Sequence, residues 1–345
     1  MNKILNVAYH CSDMFAPILG ASLVSLFENN KGMEEINVYI FENPFSDENR
    51  SKLNGLASQY GRKIFYLPMP DVNKEQKLGL KSVKKMWFFN SYVRLFLSDY
   101  LPDSVDKVLY LDSDVLVVDD LTELINTDLH GCCAAGIVDT CAEVYFPIYG
   151  LDKKAQYCNS GVIFEDLTLW RKKNIGERIR EYVKSNGGYV FYMDQTTFNA
   201  VLQNEIFILH PRYNCYSRIM TLSYKNILRE RNPYNYTSEK LIKEAQAKPA
   251  IIHMTTTFLS NNRPWVEGSN HVVTPIYQHY KAMSPWKDTP NFPDKRSKVK
   301  RIADFLVAHL PRFIVLPLAE VAFNRFRVNK IKRITKKALK QQNKD

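Results

Sequence analysis

Short apolar runs alternate with stretches of helical spacing from the amino terminus onward, and this alternation limits the possible folds more than any single residue. Asn2 to Cys11 reads as a buried strand. Ala16 to Asn30 reads as a helix, with Pro17 in its first turn and Leu19, Leu23, Leu26 and Phe27 on one face. Ile36 to Phe41 and Lys63 to Leu67 are further strands, separated by a helix over Ser46 to Tyr60 that opens Ser-x-x-Asn and meets Gly61 just past its end. Asn90 to Asp99 has helical spacing, and Lys107 to Leu111 is a short strand. Strands follow at Cys132 to Val138, Gly161 to Phe164 and Ile206 to Leu209, with helices over Leu167 to Asn186 and Asp194 to Gln203. Strands and helices in this order predict an α/β fold with a mainly parallel sheet covered on both faces. Such sheets bind ligands beyond the carboxyl ends of their strands.

The strand at Lys107 to Leu111 stops abruptly at Asp112, Ser113 and Asp114, which places both carboxylates at such an end. Acids two residues apart converge on one cation once the chain leaves the regular pleat, and their hard oxygens suit Mn²⁺ or Mg²⁺. Alone, Asp-x-Asp fits a solvated loop as well as a metal site. Its position at the end of a buried strand favours the metal, because buried acids need solvent or a partner.

Charge divides the chain. From Lys295 to Lys344 there are 15 Lys or Arg against two acids, Asp304 and Glu320, leaving 32 bases against 34 acids elsewhere. The body is neutral and the tail basic, with the Pro-rich stretch Ser284 to Pro293 marking the join. Ile302 to Phe323 is too often interrupted, by Asp304, Pro311, Arg312, Pro317 and Glu320, to span a bilayer. Arg325 to Lys340 interleaves bases with Phe326, Val328, Ile331, Ile334 and Leu339, the pattern of an amphipathic helix on an anionic membrane surface. Sparse stacking aromatics in the tail, and the lack of a recognition motif, exclude nucleic acid as the partner. No secretory leader is read at Met1 to Val7, so the expected location is cytoplasmic, peripheral on the inner membrane face. The six cysteines lack paired spacing and are expected to be buried free thiols.

Several segments together resemble a known family. VLYLDSDVLV, from Val108 to Val117, with Asp128-Leu129 after it, is similar to the metal-binding core of glycosyltransferase family 8, retaining enzymes of the GT-A fold. The amino-terminal VAYHCSDMFAPILGASLVSLFENN, Ser91 to Leu97 (SYVRLFL), Asn159-Ser160-Gly161-Val162, Asp194-Gln195, and His253 ahead of Arg263-Pro264-Trp265 follow in that family's order. The resemblance covers residues 4 to about 286. It implies a GT-A fold, Rossmann-like, with a mainly parallel mixed sheet flanked by helices, as a catalytic domain over 1–286; the basic helical tail expected over 287–345 lies outside the resemblance. It further implies that Asp112, Asp114 and His253 hold Mn²⁺, with Mg²⁺ as the alternative, and that Asp194 and Gln195 serve catalysis. Ala8, Ser12, Asp13, Arg94, Asp112, Ser113, Asp139, Asn159 and Arg263 are the implied donor-binding residues. The implied reaction moves glucose or galactose from a UDP-hexose to a lipid-linked or other envelope glycan, lipopolysaccharide or capsule. Loops at Lys74 to Lys85 and Tyr213 to Tyr236 are expected to meet that acceptor.

Local readings compete at some positions: a satisfied strand-end histidine at His253, a helix N-cap at Asp194 and a surface ion pair at Arg94. Departures from the family pattern occur at Ser12 and Met14, at Thr196, where many members carry a second Asp, and in HMTTTFLSNNRPW, which is long and lacks the usual glycine. Thr196 favours front-side attack over double displacement. A non-catalytic nucleotide-sugar or glycan-binding module and a nucleotidyltransferase are the rival functions; the latter lacks a Gly-rich phosphate loop near the first strand.

Overall fold

The protein is described from a computed structural model over residues 3–81, 86–256 and 262–334, excluding the side chains of 86–88. Seven strands form the main sheet: β1 (Ile4–Cys11), β2 (Glu35–Glu42), β3 (Lys63–Pro68), β4 (Lys107–Leu111), β6 (Ala134–Val138), β7 (Cys158–Asp166) and β8 (Ile206–Ile208), in the order β3-β2-β1-β4-β7-β6-β8. Neighbours are parallel except β7, which runs antiparallel to both β4 and β6. The sheet is therefore mixed and mainly parallel, as expected for the GT-A fold.

Alternating side chains of the central strands enter different cores. Val7, Tyr9, Leu109 and Leu111 pack with α1 (Ala16–Asn29) and α2 (Asp47–Gln59), whereas Ala8, Val108 and Tyr110 pack with Phe96, Trp170, Ile179 and Phe198 on the other face. Burial on both faces is why these strands read as unbroken apolar runs. Ser46 caps α2 by accepting from the Asn49 backbone N–H at 3.3 Å, and Gly61 follows at φ 63°, as the capping signals predicted.

The structure corrects several sequence boundaries. The helix expected over Leu167 to Asn186 is two helices, Leu167–Lys172 and Ile175–Ser185, broken where Asn174 takes φ 52°. Asn tolerates this left-handed conformation, and the break lets Trp170 and Ile175 both reach the core. Strand β7 is longer than the Gly161 to Phe164 run suggested. Asn90 to Asp99 spans the end of a 3₁₀ helix, Met86–Leu95, and a short α-helix, Leu97–Tyr100.

A second sheet was not legible in the sequence. It joins β5 (Val115–Val117), β9 (Cys215–Tyr216) and β10 (Ile251–His253), with β10 between the other two. Val115–Val117, Cys215–Tyr216 and Ile251–His253 carry too little periodicity of their own to be read as strands.

The tail packs against the body. Helices Lys298–His309 and Arg312–Val321 lead into a π-helical turn, Ala322–Arg327, and then a helix that continues to residue 334. Val315 joins a cluster with Ile219 and Ile242, while Val328 and Ile331 join Phe146 and Tyr149. Of the apolar residues expected on a membrane face, Val328 and Ile331 point inward and Phe326 is exposed, while Leu339 lies outside the described residues. Other exposed apolar side chains of the tail include Val299, Ile302, Phe305, Leu306, Phe313 and Leu318. No described helix is long and apolar enough to cross a membrane. All six cysteines are free, and five of them are buried.

Inside β7, Glu165 is fully buried and its two carboxylate oxygens have no hydrogen-bond partner among the described residues. Burial pushes its pKa well above the ordinary carboxylate value. The folded state thus keeps a proton that the unfolded chain releases above about pH 4.3. Stability from this residue falls as pH rises from that value towards the raised folded pKa. Thermal melts should show Glu165→Gln gaining on the wild type between about pH 5 and pH 8; a pH-independent difference would refute the assignment.

Candidate metal and donor site

Two backbone ties assemble the acidic turn after β4. The Asp112 N–H donates to the Gly161 carbonyl in β7 at 2.8 Å, and the Asp114 carbonyl accepts from Met254 N–H at 2.9 Å. Pairing of β10 with β5 sets His253 opposite Val115, the residue after Asp114. In consequence Asp112, Asp114 and His253 each offer a ligand atom within 4.8 Å of the others. His253 Nε2 lies 3.2 Å from Asp114 Oδ1 and 3.7 Å from Asp112 Oδ2.

Gly161 makes this convergence possible. A Cβ there would stand 2.1 Å from His253 Cε1 and 2.8 Å from Asp112 Oδ2. Two carboxylates and an imidazole around a cradle that one methyl would fill fit a small divalent cation such as Mn²⁺ or Mg²⁺. Burial alone would raise the Asp114 carboxyl, but the charges of His253 and Arg263 outweigh it and hold the group well below the usual carboxylate range.

Around this cluster lies a cavity of about 600 Å³, lined by His10, Ser12, Phe15, Asn43, Arg94 and Ser113 among others. Ser113 Oγ donates to the His10 carbonyl at 2.7 Å and so ties the acidic turn to the end of β1. Arg263 reaches Asp114 Oδ2 at 2.6 Å and also bonds the Met254 carbonyl. A planar guanidinium at that edge suits a diphosphate.

Two expected donor residues make contacts within the body of the protein. Ala8 is fully buried within β1. Asp13 Oδ1 accepts from Ser46 N–H at 2.8 Å and Asn49 Nδ2 at 2.8 Å, so this carboxylate anchors the loop to α2. The Asn49 bond above all, with the Ser46 N–H bond, lowers its pKa. Part of the expected phosphate segment, residues 257–261, lies outside the described residues.

The remaining site residues form one hydrogen-bonded chain. Arg94 is buried, with Nη2 2.8 Å from Asp112 Oδ1, Nη1 2.7 Å from the Ser160 carbonyl and Nε 3.2 Å from Asp194 Oδ2. It is thus no surface ion pair. Asp194 Oδ2 accepts from Ser160 Oγ at 3.0 Å, and Gln195 Oε1 accepts from the Ser160 N–H at 3.3 Å. Gln195 Nε2 and Asn159 Nδ2 each donate to Asp139 Oδ2 at 3.1 Å. Asp194 does not cap its helix, Met193–Leu202, whose N-cap is Tyr192. Tyr192 and Met193 take φ 61° and 49°, conformations costing about 1–3 kcal/mol each in non-glycine residues and concentrated at functional sites. Asp139 and Gln195 line a second cavity of about 440 Å³, so the chain links two chambers.

Sequence reading missed His10, Tyr110 and the second chamber. Tyr110 donates to Asp112 Oδ1 at 3.0 Å and bonds His10 Nδ1 at 2.7 Å. Its place one residue before Leu111 in the acidic motif was the available signal.

The pattern of the family described as glycosyl transferase family 8 matches residues 6–268. Lipopolysaccharide 1,2-glucosyltransferase of Escherichia coli K12 is 29% identical over 315 residues, covering 89% of this chain and 87% of that protein. General stress protein A of Bacillus subtilis is 25% identical over 293 residues, covering 84% and 97%. Among solved structures, the galactosyltransferase LgtC in complex with donor and acceptor sugar analogs superposes with a TM-score of 0.64 at 21% identity, covering 86% of this chain and 99% of that one.

The Gly161 contact leads to a direct test. Gly161→Ala should displace His253 and weaken Mn²⁺ binding about 10–100-fold, the usual effect of disturbing the support of a metal site. Titration followed by the electron paramagnetic resonance of free Mn²⁺ measures this. Wild-type affinity in a folded variant would show that the cradle is not the metal site.

Proposed function

The chain belongs to glycosyl transferase family 8 and is a glycosyltransferase, and on that premise we propose that it moves glucose or galactose from a UDP-sugar to an envelope glycan with retention of configuration. One observation carries the reading: Asp112, Asp114 and His253 converge beside Arg94 and Arg263, in a chamber joined by hydrogen bonds to a second one. Similarity to a lipopolysaccharide glucosyltransferase supports a glycan acceptor of that kind.

In this reading Asp112, Asp114 and His253 would hold Mn²⁺, or Mg²⁺, which would supply positive charge to a bound diphosphate. Arg263 binds a diphosphate oxygen through its fork. Arg94, fixed by Ser91, Ser160 and Asp194, keeps Asp112 oriented and adds charge beneath the donor sugar. Asp139, Asn159 and Gln195 present polar atoms fixed by the chain of bonds between the two chambers, and such groups discriminate hexose hydroxyls. The acceptor hydroxyl oxygen bonds to the anomeric carbon as the bond from that carbon to the diphosphate breaks. Its proton passes to the departing diphosphate, yielding UDP and the glycoside. Front-side attack is supported by Thr196, which is buried and bonded to the Tyr157 hydroxyl at 3.1 Å rather than carrying a second carboxylate.

The proposal includes peripheral binding to an anionic membrane on its cytoplasmic side. Supporting it, Phe305, Phe313 and Leu318 are exposed on tail helices that also carry Lys298, Lys300, Arg301 and Arg312. Bases near such a surface contribute about 1 kcal/mol each.

A panel of UDP-sugars with Mn²⁺ should reveal one hydrolysed donor, with UDP release measured by mass spectrometry. Asp114→Ala should lose at least about a hundredfold in that rate; an unchanged rate in the presence of a chelator would sink the metal-assisted mechanism. Separately, Phe305→Ser combined with Phe313→Ser should abolish co-sedimentation with vesicles containing anionic lipid. Persistent sedimentation would rule out this face as the membrane contact.

A further inference from the structure

The second chamber is walled by three parts of the chain that are far apart in sequence. Asp139 and Gln195 sit at its inner end; Arg218 and Arg231 come from the segment after β9; Phe323, Asn324 and Arg327 come from the tail. The tail wall is a formed contact. Tyr145 donates its hydroxyl to the Phe323 carbonyl, and Asn324 Nδ2 donates to the Arg231 carbonyl at 2.9 Å. Arg327 lies 4.4 Å over the Tyr192 ring, and Arg231 3.3 Å over Phe323. The helix widens into its π turn at this point, a distortion frequent at functional sites.

Guanidinium charge here exceeds what the protein balances. Arg218 is paired, its Nε 2.8 Å from Glu230 Oε2. Arg231 is not well paired: its Nε lies 3.5 Å from Glu230 Oε1 and is buried without a hydrogen bond. Burial first, then repulsion by Arg218, lowers its pKa to about 10. Arg327 has no ion-pair partner among the described residues, and Asp139 is occupied by Asn159 and Gln195. An imperfectly paired buried cation is costly unless a ligand completes it. The aromatic lining of Tyr145, Tyr149, Tyr157 and Tyr192 suits a sugar ring.

We propose that this chamber is the acceptor subsite, that the tail helix forms one of its walls, and that Arg231 and Arg327 bind an oxyanionic substituent on the acceptor sugar. The inference rests on the transferase reading and deepens it: the acceptor is an anionic glycan, and the tail takes part in selecting it.

Calorimetry on the full chain, with the donor site filled by UDP and Mn²⁺, tests this with glucose, glucose 6-phosphate and glucuronate as probes. One or both anionic sugars should bind at least about tenfold more tightly than glucose, since charge-assisted bonds to a planar guanidinium are strong; which one does so separates a phosphate from a carboxylate. Arg327→Gln should abolish the preference, and Arg327→Lys should restore part of it. UDP binding in the same titration checks that each variant is folded. Failure of both anionic sugars to outbind glucose, or a preference that survives Arg327→Gln, overturns the inference while leaving the donor reading intact. Absence of UDP and Mn²⁺ binding would strike the transferase reading instead.

Discussion

Two carboxylates in one half-buried turn repel each other, and the architecture of the catalytic region answers that repulsion. Asp112 is met by Arg94 from one side and Asp114 by Arg263 from another, with His253 between them. Each of these partners arrives on a different element: a 3₁₀ helix, a loop and the end of β10. Because charge is strong at low dielectric and short range, these groups hold the turn only while the elements carrying them keep register. Gly161 sets the tolerance, as its bare Cα is what allows the imidazole and the carboxylate to close on β7.

From Asp112 the same logic runs outward through Arg94, Ser160, Asp194 and Gln195 to Asp139. Buried polar groups of this kind must be satisfied, and a fully bonded network fixes every rotamer it includes. The chain of bonds therefore does two jobs. It stabilises charge within the body, and it links the turn beside the first chamber to Asp139 and Gln195 in the wall of the second. Tyr192 and Met193, in left-handed backbone just before Asp194, are the conformational cost of that placement.

The tail shows how composition underdetermines position. Its bases and apolar residues foretold an amphipathic helix, but not which apolar residues would face the body. Val315, Val328 and Ile331 fill hydrophobic clusters of the body, while Phe305, Phe313 and Leu318 remain outside. The tail helices thus offer an inward face beside the second chamber and an outward face of another character.

Local pattern determined the strands of the main sheet, helix α1, helix α2 with its caps, and the acidic stop after Leu111, since each depends on residues a few positions apart. Resemblance to a family then named Arg94, Asp139, Asn159, Asp194, Gln195 and His253, which no spacing would have grouped. Only the tertiary structure decided that Ala8 lies in the core, that Asp13 anchors a loop, that Leu167 to Asn186 breaks at Asn174, and that Arg231 and Arg327 line one chamber. Those outcomes turn on contacts between residues up to hundreds of positions apart, and on strands of two or three residues paired by neighbours rather than by their own propensity. Periodicity records which face of an element is apolar; it carries no record of what that face will meet.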